Sequence, residues 1–183
     1  IKDRLSIKPA VITYPIGAEQ SFKGVISLLE RKALFWEKDP LGIQFEEGPI
    51  PSGMETEVEA ARSDLIEQIC AEDEGLLAQY LDGKEPALAD LKKVLRQATI
   101  NLKLVPLFVG SSLRNKGVQP VLDGVVDFLP SPLDIPAVKG INPITGQEEE
   151  RETRNDSPLS ALAFKIQVDP HVGKLTYLRV YSG

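Results

Sequence analysis

Residues 103–119 constrain the fold more than any other part of this sequence. Residues 103–109 form a short apolar run, which is typical of a strand buried on both faces. A turn of small and polar residues follows, and after it Val118, Val121 and Val125 recur at helical spacing. This order predicts a strand, a turn and a helix, with free backbone N–H groups at the carboxyl end of the strand, where open α/β sheets bind ligands.

Many strand–turn–helix units bind nothing, so composition is needed to narrow the function. The chain has 183 residues, of which 42% are apolar and 26% charged, as in a globular protein of one domain or a small pair. Its net charge of −6 argues against a general nucleic-acid surface, because counterion release requires clustered Lys and Arg. No apolar run reaches the length of a membrane span. We therefore expect neither a membrane nor a sequence-specific nucleic acid as a partner.

The one cysteine, Cys70, excludes an internal disulfide framework and fits a reducing cytosol. It lies among Leu65, Ile66 and Ile69 at helical positions. This environment predicts a buried, inert thiol rather than a nucleophile.

Both ends of the chain look cut. The chain begins without Met on residues 1–5, which resemble the last turns of an amphipathic helix, and it stops directly after a strand at residues 175–183. Because an isolated terminal hairpin is marginally stable in water, we expect a piece of a larger protein.

Between its ends the chain is predicted to form a small antiparallel sheet and then three helices. The predicted strands are residues 10–14, 25–29, 31–37 and 43–46, with a turn at 39–42. The predicted helices cover residues 53–71, 74–81 and about 87–99.

The first two of these helices are strongly acidic. Between residues 54 and 86 the basic side chains are Arg62 and Lys84, whereas the acidic ones are Glu55, Glu57, Glu59, Asp64, Glu67, Glu72, Asp73, Glu74, Asp82 and Glu85. One interpretation is a solvated face that keeps the protein soluble. The other is a docking surface for a basic partner, since complementary charge raises the rate of association.

No complete catalytic or metal-binding motif is present in the sequence. Gly48 and Gly53 have the spacing of a phosphate-binding loop, but the required Lys does not follow them. Asn115 begins a guanine-specifying Asn-Lys-x-Asp pattern, but Val118 stands where the Asp is needed. One Cys and one His cannot form a zinc site, and His171 is interpreted as a loop residue. We therefore predict no catalytic residue and no metal ligand in this chain.

Several segments together resemble the elongation factor G family of ribosomal translocation GTPases. They follow the family's order and span essentially the whole chain, so the set is specific although each segment alone is weak. The segments are Tyr14-Pro-Ile-Gly-Ala-Glu19, Phe22-Lys-Gly-Val-Ile26, Gly110-Ser-Ser-Leu-Arg-Asn-Lys-Gly-Val-Gln119, Leu129-Pro-Ser-Pro-Leu-Asp-Ile-Pro136, Ala161-Leu-Ala-Phe-Lys165 and Asp169-Pro-His-Val-Gly-Lys-Leu-Thr-Tyr-Leu-Arg-Val-Tyr-Ser-Gly183.

The resemblance implies an α/β fold with an inserted subdomain. Residues 1–22 and 97–131 would be the C-terminal part of a P-loop GTPase domain, and residues 23–96 an inserted α+β subdomain. Residues 132–136 would be a linker, and residues 137–183 the truncated start of an antiparallel β-barrel. The family's phosphate loop and switch segments would lie upstream of the chain, which would then have no turnover alone.

The resemblance also implies a base-contacting site at Gly110, Ser111, Ser112 and Leu113. In the family, backbone N–H groups of this turn donate to the carbonyl oxygen of guanine. Adenine carries an amino group there, and two facing donors cost about 1–3 kcal/mol when buried and unpaired. GTP or GDP with Mg²⁺ would be the cofactor of the intact protein. The family more often has Ala where Ser112 stands, a change that we expect backbone contacts to tolerate.

A docking role for the acidic helices is implied as well. In the family, the inserted subdomain meets the ribosomal stalk protein, which presents basic helices, and Glu67, Glu72, Asp73 and Glu74 are the candidates here. The implied partners are the ribosome, its stalk protein and a guanine nucleotide, in the cytoplasm of a bacterium in preference to a mitochondrion.

Two alternatives remain open. A ribosome-protection protein or a release-factor GTPase belongs to the same superfamily, although residues 14–26 favour the elongation factor. A non-enzymatic acidic adaptor would instead use the helical insert to bind a basic partner and would not bind GTP.

Overall fold

The structure of the chain is a computed structural model that describes residue 4 and residues 6–36, 41–142 and 144–183. These residues divide into two compact units, one ending at Leu129 and the other covering Pro130–Gly183. Three predicted parts lie outside the described residues: the helix at residues 1–5 apart from the helical Arg4, the last residue of the strand at 31–37, and the first half of the turn at 39–42. The predicted domain boundaries stay a prediction.

A short parallel sheet begins the first unit. Strand β1 (Pro9–Val11) pairs in parallel with β6 (Val105–Leu107), in the register Ala10 opposite Pro106. The prediction of a strand at 103–109 is confirmed, but its burial on both faces was wrong. Within the described residues β6 is three residues long and has β1 as its one partner, so Val105 remains 37% exposed.

A four-stranded antiparallel sheet of the described residues follows the order β2 (Thr13–Ile16), β3 (Gly24–Ser27), β4 (Lys32–Phe35) and β5 (Glu46–Gly48). The predicted meander is thereby confirmed with two corrections. Its last strand is 46–48 instead of 43–46. The predicted strand at 10–14 is divided at Ile12, whose N–H donates to Leu107 while its carbonyl accepts from Leu28. The chain passes from one sheet to the other at this residue.

Four helices lie within the described residues, and each was predicted with small differences at its ends. They are α1 (Glu55–Cys70), α2 (Glu74–Leu81), α3 (Leu88–Ile100) and α4 (Val118–Phe128). Short 3-10 turns occupy Glu19–Ser21 and Pro132–Asp134. Helix α4 buries Gly124 and Phe128, whereas Leu122 and Val126 of its apolar face are exposed.

One hydrophobic core joins the sheets to α1 and α3. Leu65 and Ile69 of α1 and Leu91 and Leu95 of α3 pack with Leu28, each at most 1% exposed. Burial of such a side chain contributes about 1.5–3 kcal/mol. The core also includes residues of β1 and α4, so it runs through both predicted parts of the first unit.

Arg62 of α1 fixes the loop between β3 and β4. Its guanidinium is buried and donates to the carbonyl oxygens of Leu28 and Leu29. It also donates to Glu85 Oε1 at 2.6 Å, and this hydrogen bond lowers the pKa of the Glu85 carboxyl. Arg62 therefore satisfies carbonyl groups that the sheet leaves unpaired.

The second unit consists of two antiparallel pairs, β7 (Val138–Ile141) with β8 (Glu148–Arg151) and β9 (Ser160–Asp169) with β10 (Gly173–Ser182). His171 lies in the turn between β9 and β10, as predicted. Asp169 Oδ1 accepts the backbone N–H groups of His171 at 2.8 Å and Val172 at 3.0 Å, which lowers the pKa of that carboxyl.

Among the described residues, no helix combines the length and apolar character that crossing a membrane requires.

Candidate functional site: a glycine-flanked turn and an acidic helix junction

Residues 108–117 connect β6 to α4, and residues 110–117 of this connection form a closed turn. Ser111 N donates to Lys116 O at 2.8 Å, and Lys116 N donates back to Ser111 O at 3.0 Å. Inside this pair, the N–H groups of Arg114 and Asn115 donate to the carbonyl oxygens of Ser111 and Ser112. The 110–117 turn is therefore a defined hairpin rather than an open loop.

Two glycines allow the arms of the 110–117 turn to meet. Gly117 precedes α4 with a φ of +80°, in the left-handed region that favours glycine. A Cβ atom on Gly117 would lie 2.9 Å from Val109 O, and one on Gly110 would lie 2.8 Å from Lys116 O. A side chain at either position would thus push the two arms apart.

The apex of the turn presents unpaired backbone donors. The N–H groups of Ser112 and Leu113 donate to no acceptor within the described part of the chain. Both residues are exposed, and Leu113 is 95% exposed. Because a backbone N–H is a strong donor, this apex can bind a carbonyl oxygen. These residues fit the base of a guanine nucleotide, and their predicted role remains a prediction.

A magnesium ion requires a group of oxygen ligands. Across the residues that the structure describes, no three His, Cys, Asp or Glu side chains are grouped so that they could hold a metal ion.

The four acidic residues predicted to dock a partner lie around the junction of α1 and α2, and two of them have structural roles. Glu72 forms an ion pair with Lys103, with 3.0 Å between Oε2 and Nζ, and its side chain is only 14% exposed. Asp73 is the N-cap of α2, since its Oδ1 accepts the N–H of Leu76 at 2.8 Å. Changing either residue would therefore alter the stability of the fold as well as the charge.

Glu67 and Glu74 are the two exposed acids of this set whose side chains have neither an ion pair nor a capping hydrogen bond among the described residues. Glu74 is the first residue of α2, where the helix dipole favours a carboxylate. Glu67 lies in the last turn of α1, where the dipole disfavours a carboxylate by about 0.3–1 kcal/mol. The charge of Glu67 is thus not explained by the stability of its own helix.

A groove of about 260 Å³ lies beside this junction, between α2 and α3. Leu76 and Val94 supply apolar surface, Asp73 and Asp90 supply acidic groups, and Lys93 supplies a basic one. The groove thus combines apolar surface with a small excess of acidic side chains.

Cys70 ends α1 beneath the junction and is fully buried, as predicted. Burial raises the pKa of its thiol, and the nearby Asp73 carboxylate raises it further. Both effects disfavour the reactive thiolate.

The predicted base-contacting residues lie together in the turn, and the four predicted docking acids lie together at the α1–α2 junction. No hydrogen bond or ion pair between described residues joins these two sets. Sequence reasoning assigned no structural role to Thr13, Asn115 and Gln119, which lie within the turn or beside one of its ends. Thr13 is 2% exposed, and its Oγ1 accepts the N–H of Val109 at 2.8 Å, directly before the turn. The signal for Thr13 was a hydroxyl within an otherwise apolar strand.

The strand, the glycine-flanked turn and the following helix define a segment of the α/β class of proteins. Over all 183 residues the chain is 48% identical to elongation factor G of Aquifex pyrophilus. The predicted resemblance is confirmed, and the chain is similar along its whole length to a segment of elongation factor G.

A solved structure agrees with this similarity. A crystal structure of a protein from Thermus thermophilus matches the whole chain with a TM-score of 0.74 at 29% identity. The chain spans about a quarter of the length of these relatives, 26% of the Aquifex protein and 24% of the Thermus chain. No protein-family model matches the chain.

Proposed function

We propose that this chain is the base-selecting and partner-docking segment of a translation GTPase similar to elongation factor G. The first unit would be the C-terminal part of the nucleotide-binding domain together with its insert, and the strands of the second unit would begin a β-barrel. The intact protein would act in the cytoplasm on the ribosome, with GTP or GDP and Mg²⁺ as its cofactor. The observation that carries this proposal is the set of unpaired N–H groups at the apex of the 110–117 turn.

The turn would select guanine through its backbone. The N–H groups of Ser112 and Leu113 would donate to the carbonyl oxygen at position 6 of guanine. In adenine an amino group occupies this position, so donors would face donors and the buried pair would cost about 1–3 kcal/mol. By the conversion of 1.4 kcal/mol per tenfold, this is a preference of roughly 5- to 150-fold from the turn alone.

Nucleotide titration of the full gene product tests the proposal. We expect GTP and GDP to bind and ATP and ADP to bind far more weakly, measured by calorimetry at one salt concentration. The 183-residue chain alone should bind GTP negligibly, because it supplies contacts to the base and lacks a phosphate-binding motif. A full gene product that binds no GTP would favour the acidic adaptor, and tight GTP binding by the chain alone would also contradict the proposal.

The acidic junction of α1 and α2 would dock the basic helices of the ribosomal stalk protein. Support comes from the exposed carboxylates of Glu67 and Glu74 and from the adjoining groove between α2 and α3. Complementary charge of this kind raises the rate of association more than the affinity, so its effect is largest at low salt.

A further inference from the structure

The loop at residues 41–43, within the predicted insert, contacts the 110–117 turn and the start of α4. Asn115 Nδ2 donates to Leu41 O at 2.9 Å. Gln119 Nε2 donates to Gly42 O at 2.9 Å and to Ile43 O at 3.0 Å. Three successive carbonyl groups of the loop are therefore bound by two amide side chains.

These hydrogen bonds require amide donors. The acceptors are carbonyl oxygens, so a carboxylate at either position would face them with lone pairs alone. Gln119 Oε1 is buried and has no hydrogen-bond partner in the described part of the chain. The Gln119 side chain therefore makes its hydrogen bonds to the loop through Nε2.

Gly42 brings the backbone of the loop against the turn. It is buried with a φ of +68°, and a Cβ atom there would lie 2.3 Å from Asn115 O. The neighbouring side chains of Leu41 and Ile43 are 69% and 62% exposed. The loop is therefore held through its backbone, and its apolar side chains take little part.

A second contact lies close to the loop and leads to the residues directly before the turn. Phe45 packs on Trp36, with ring centroids 5.4 Å apart. Trp36 is 1% exposed and lies in a cluster with Phe22, against which Val109 packs. Val109 directly precedes Gly110, so this cluster supports the chain at the point where it enters the turn.

We propose that Asn115 and Gln119 are positioning residues that hold the 110–117 turn against the loop at 41–43, so that the insert sets the geometry of the base-selecting site. This inference rests on the proposed function of the turn. The two side chains act through the turn, because they place the unpaired N–H groups of Ser112 and Leu113 and make their own hydrogen bonds to the loop.

The test measures the affinity of the full gene product for two nucleotides in Gln119→Ala and Gly42→Ala. The nucleotides are GDP and the diphosphate of 2-aminopurine riboside, which lacks the carbonyl oxygen of guanine. We expect each substitution to lower the affinity for GDP about five- to tenfold and to change the affinity for the analogue less than twofold. The double variant should lower the affinity for GDP no more than the stronger single variant does, because both substitutions break the same contact between the loop and the turn.

Two matched controls isolate the contact. Gly53→Ala introduces the same residue at a φ of +88° with nothing within 4 Å, so it should leave GDP affinity unchanged. Gln97→Ala removes an exposed glutamine of α3 and should also be neutral. If a melting curve shows that one of these variants fails to fold, Asn115→Ala replaces it. We expect Asn115→Ala to lower the affinity for GDP about threefold and to leave the affinity for the analogue unchanged.

The outcomes separate the inference from the function on which it rests. If the unsubstituted protein binds GDP and the analogue equally well, the proposed reading of the carbonyl oxygen fails. If it prefers GDP and the variants keep that preference, the positioning role is overturned. Equal weakening of both nucleotides would likewise overturn it, because the contact would then serve stability alone.

Discussion

The 110–117 turn and the α1–α2 junction present two different ways to bind a partner. The turn offers backbone N–H groups, and its shape depends on Gly110 and Gly117. The junction offers the side-chain charges of Glu67 and Glu74 on a helical surface. A backbone site should tolerate changes of side chain and fail when its dihedral angles change. A charged surface should tolerate changes of backbone and respond to charge and salt.

The largest effect is expected from Gly117→Ala. An L-residue at a φ of +80° costs about 1–2 kcal/mol, and its Cβ would lie 2.9 Å from Val109 O, so the turn must open. We expect the full gene product to lose tenfold or more of its affinity for GDP in a fluorescence titration. Gly83→Ala is the matched control, since its φ is +76° and nothing lies within 4 Å. Unchanged GDP binding in Gly117→Ala would remove the turn from the nucleotide site.

A smaller effect is expected when Glu67 and Glu74 are both changed to Lys. Ribosome-stimulated GTP turnover should fall about threefold at low salt, because attraction between exposed charges is screened as salt rises. Affinity for GDP should not change. Asp123→Lys reverses an exposed charge on α4 and serves as the control. Turnover equal to that of the unsubstituted protein at low salt would contradict docking at this junction.

Glu67→Gln measures how the Glu67 carboxylate affects the stability of the chain, independently of any docked partner. Removing a carboxylate from the last turn of α1 should raise the free energy of unfolding by about 0.3–1 kcal/mol. Urea unfolding of the chain checks this, with Glu74→Gln as the opposite case, because its carboxylate is favoured at the first residue of α2. A loss of stability in Glu67→Gln would show that this carboxylate has a structural partner after all.

The smallest effect is expected from Ser112→Ala. The side chain of Ser112 is exposed, and the turn uses its backbone. GDP affinity should stay within about twofold of the unsubstituted protein. A larger loss would mean that the hydroxyl contacts the nucleotide, and the distinction between a backbone site and a side-chain surface would no longer hold.

Much of the first unit could be predicted because its signals are local. Helical spacing predicted α1, α2 and α3, and several short segments in a fixed order together carried the resemblance to elongation factor G. Local spacing could not predict which acidic side chains are exposed and unpaired and which form an ion pair. Glu72 is paired because Lys103, far along the chain, comes within 3.0 Å of it, and spacing contains no information about such a contact.

The sequence by itself determined the order of strands and helices, the glycine-flanked turn and the family that the chain resembles, since periodicity and turn chemistry act between neighbouring residues. The tertiary structure decided that the strand at 10–14 divides at Ile12 and that the apolar face of α4 is largely exposed. It also decided that the loop at 41–43 lies against Asn115 and Gln119, residues 74 to 77 positions away. Contacts of that range depend on how the sheets and helices pack around a common core, which no local pattern encodes.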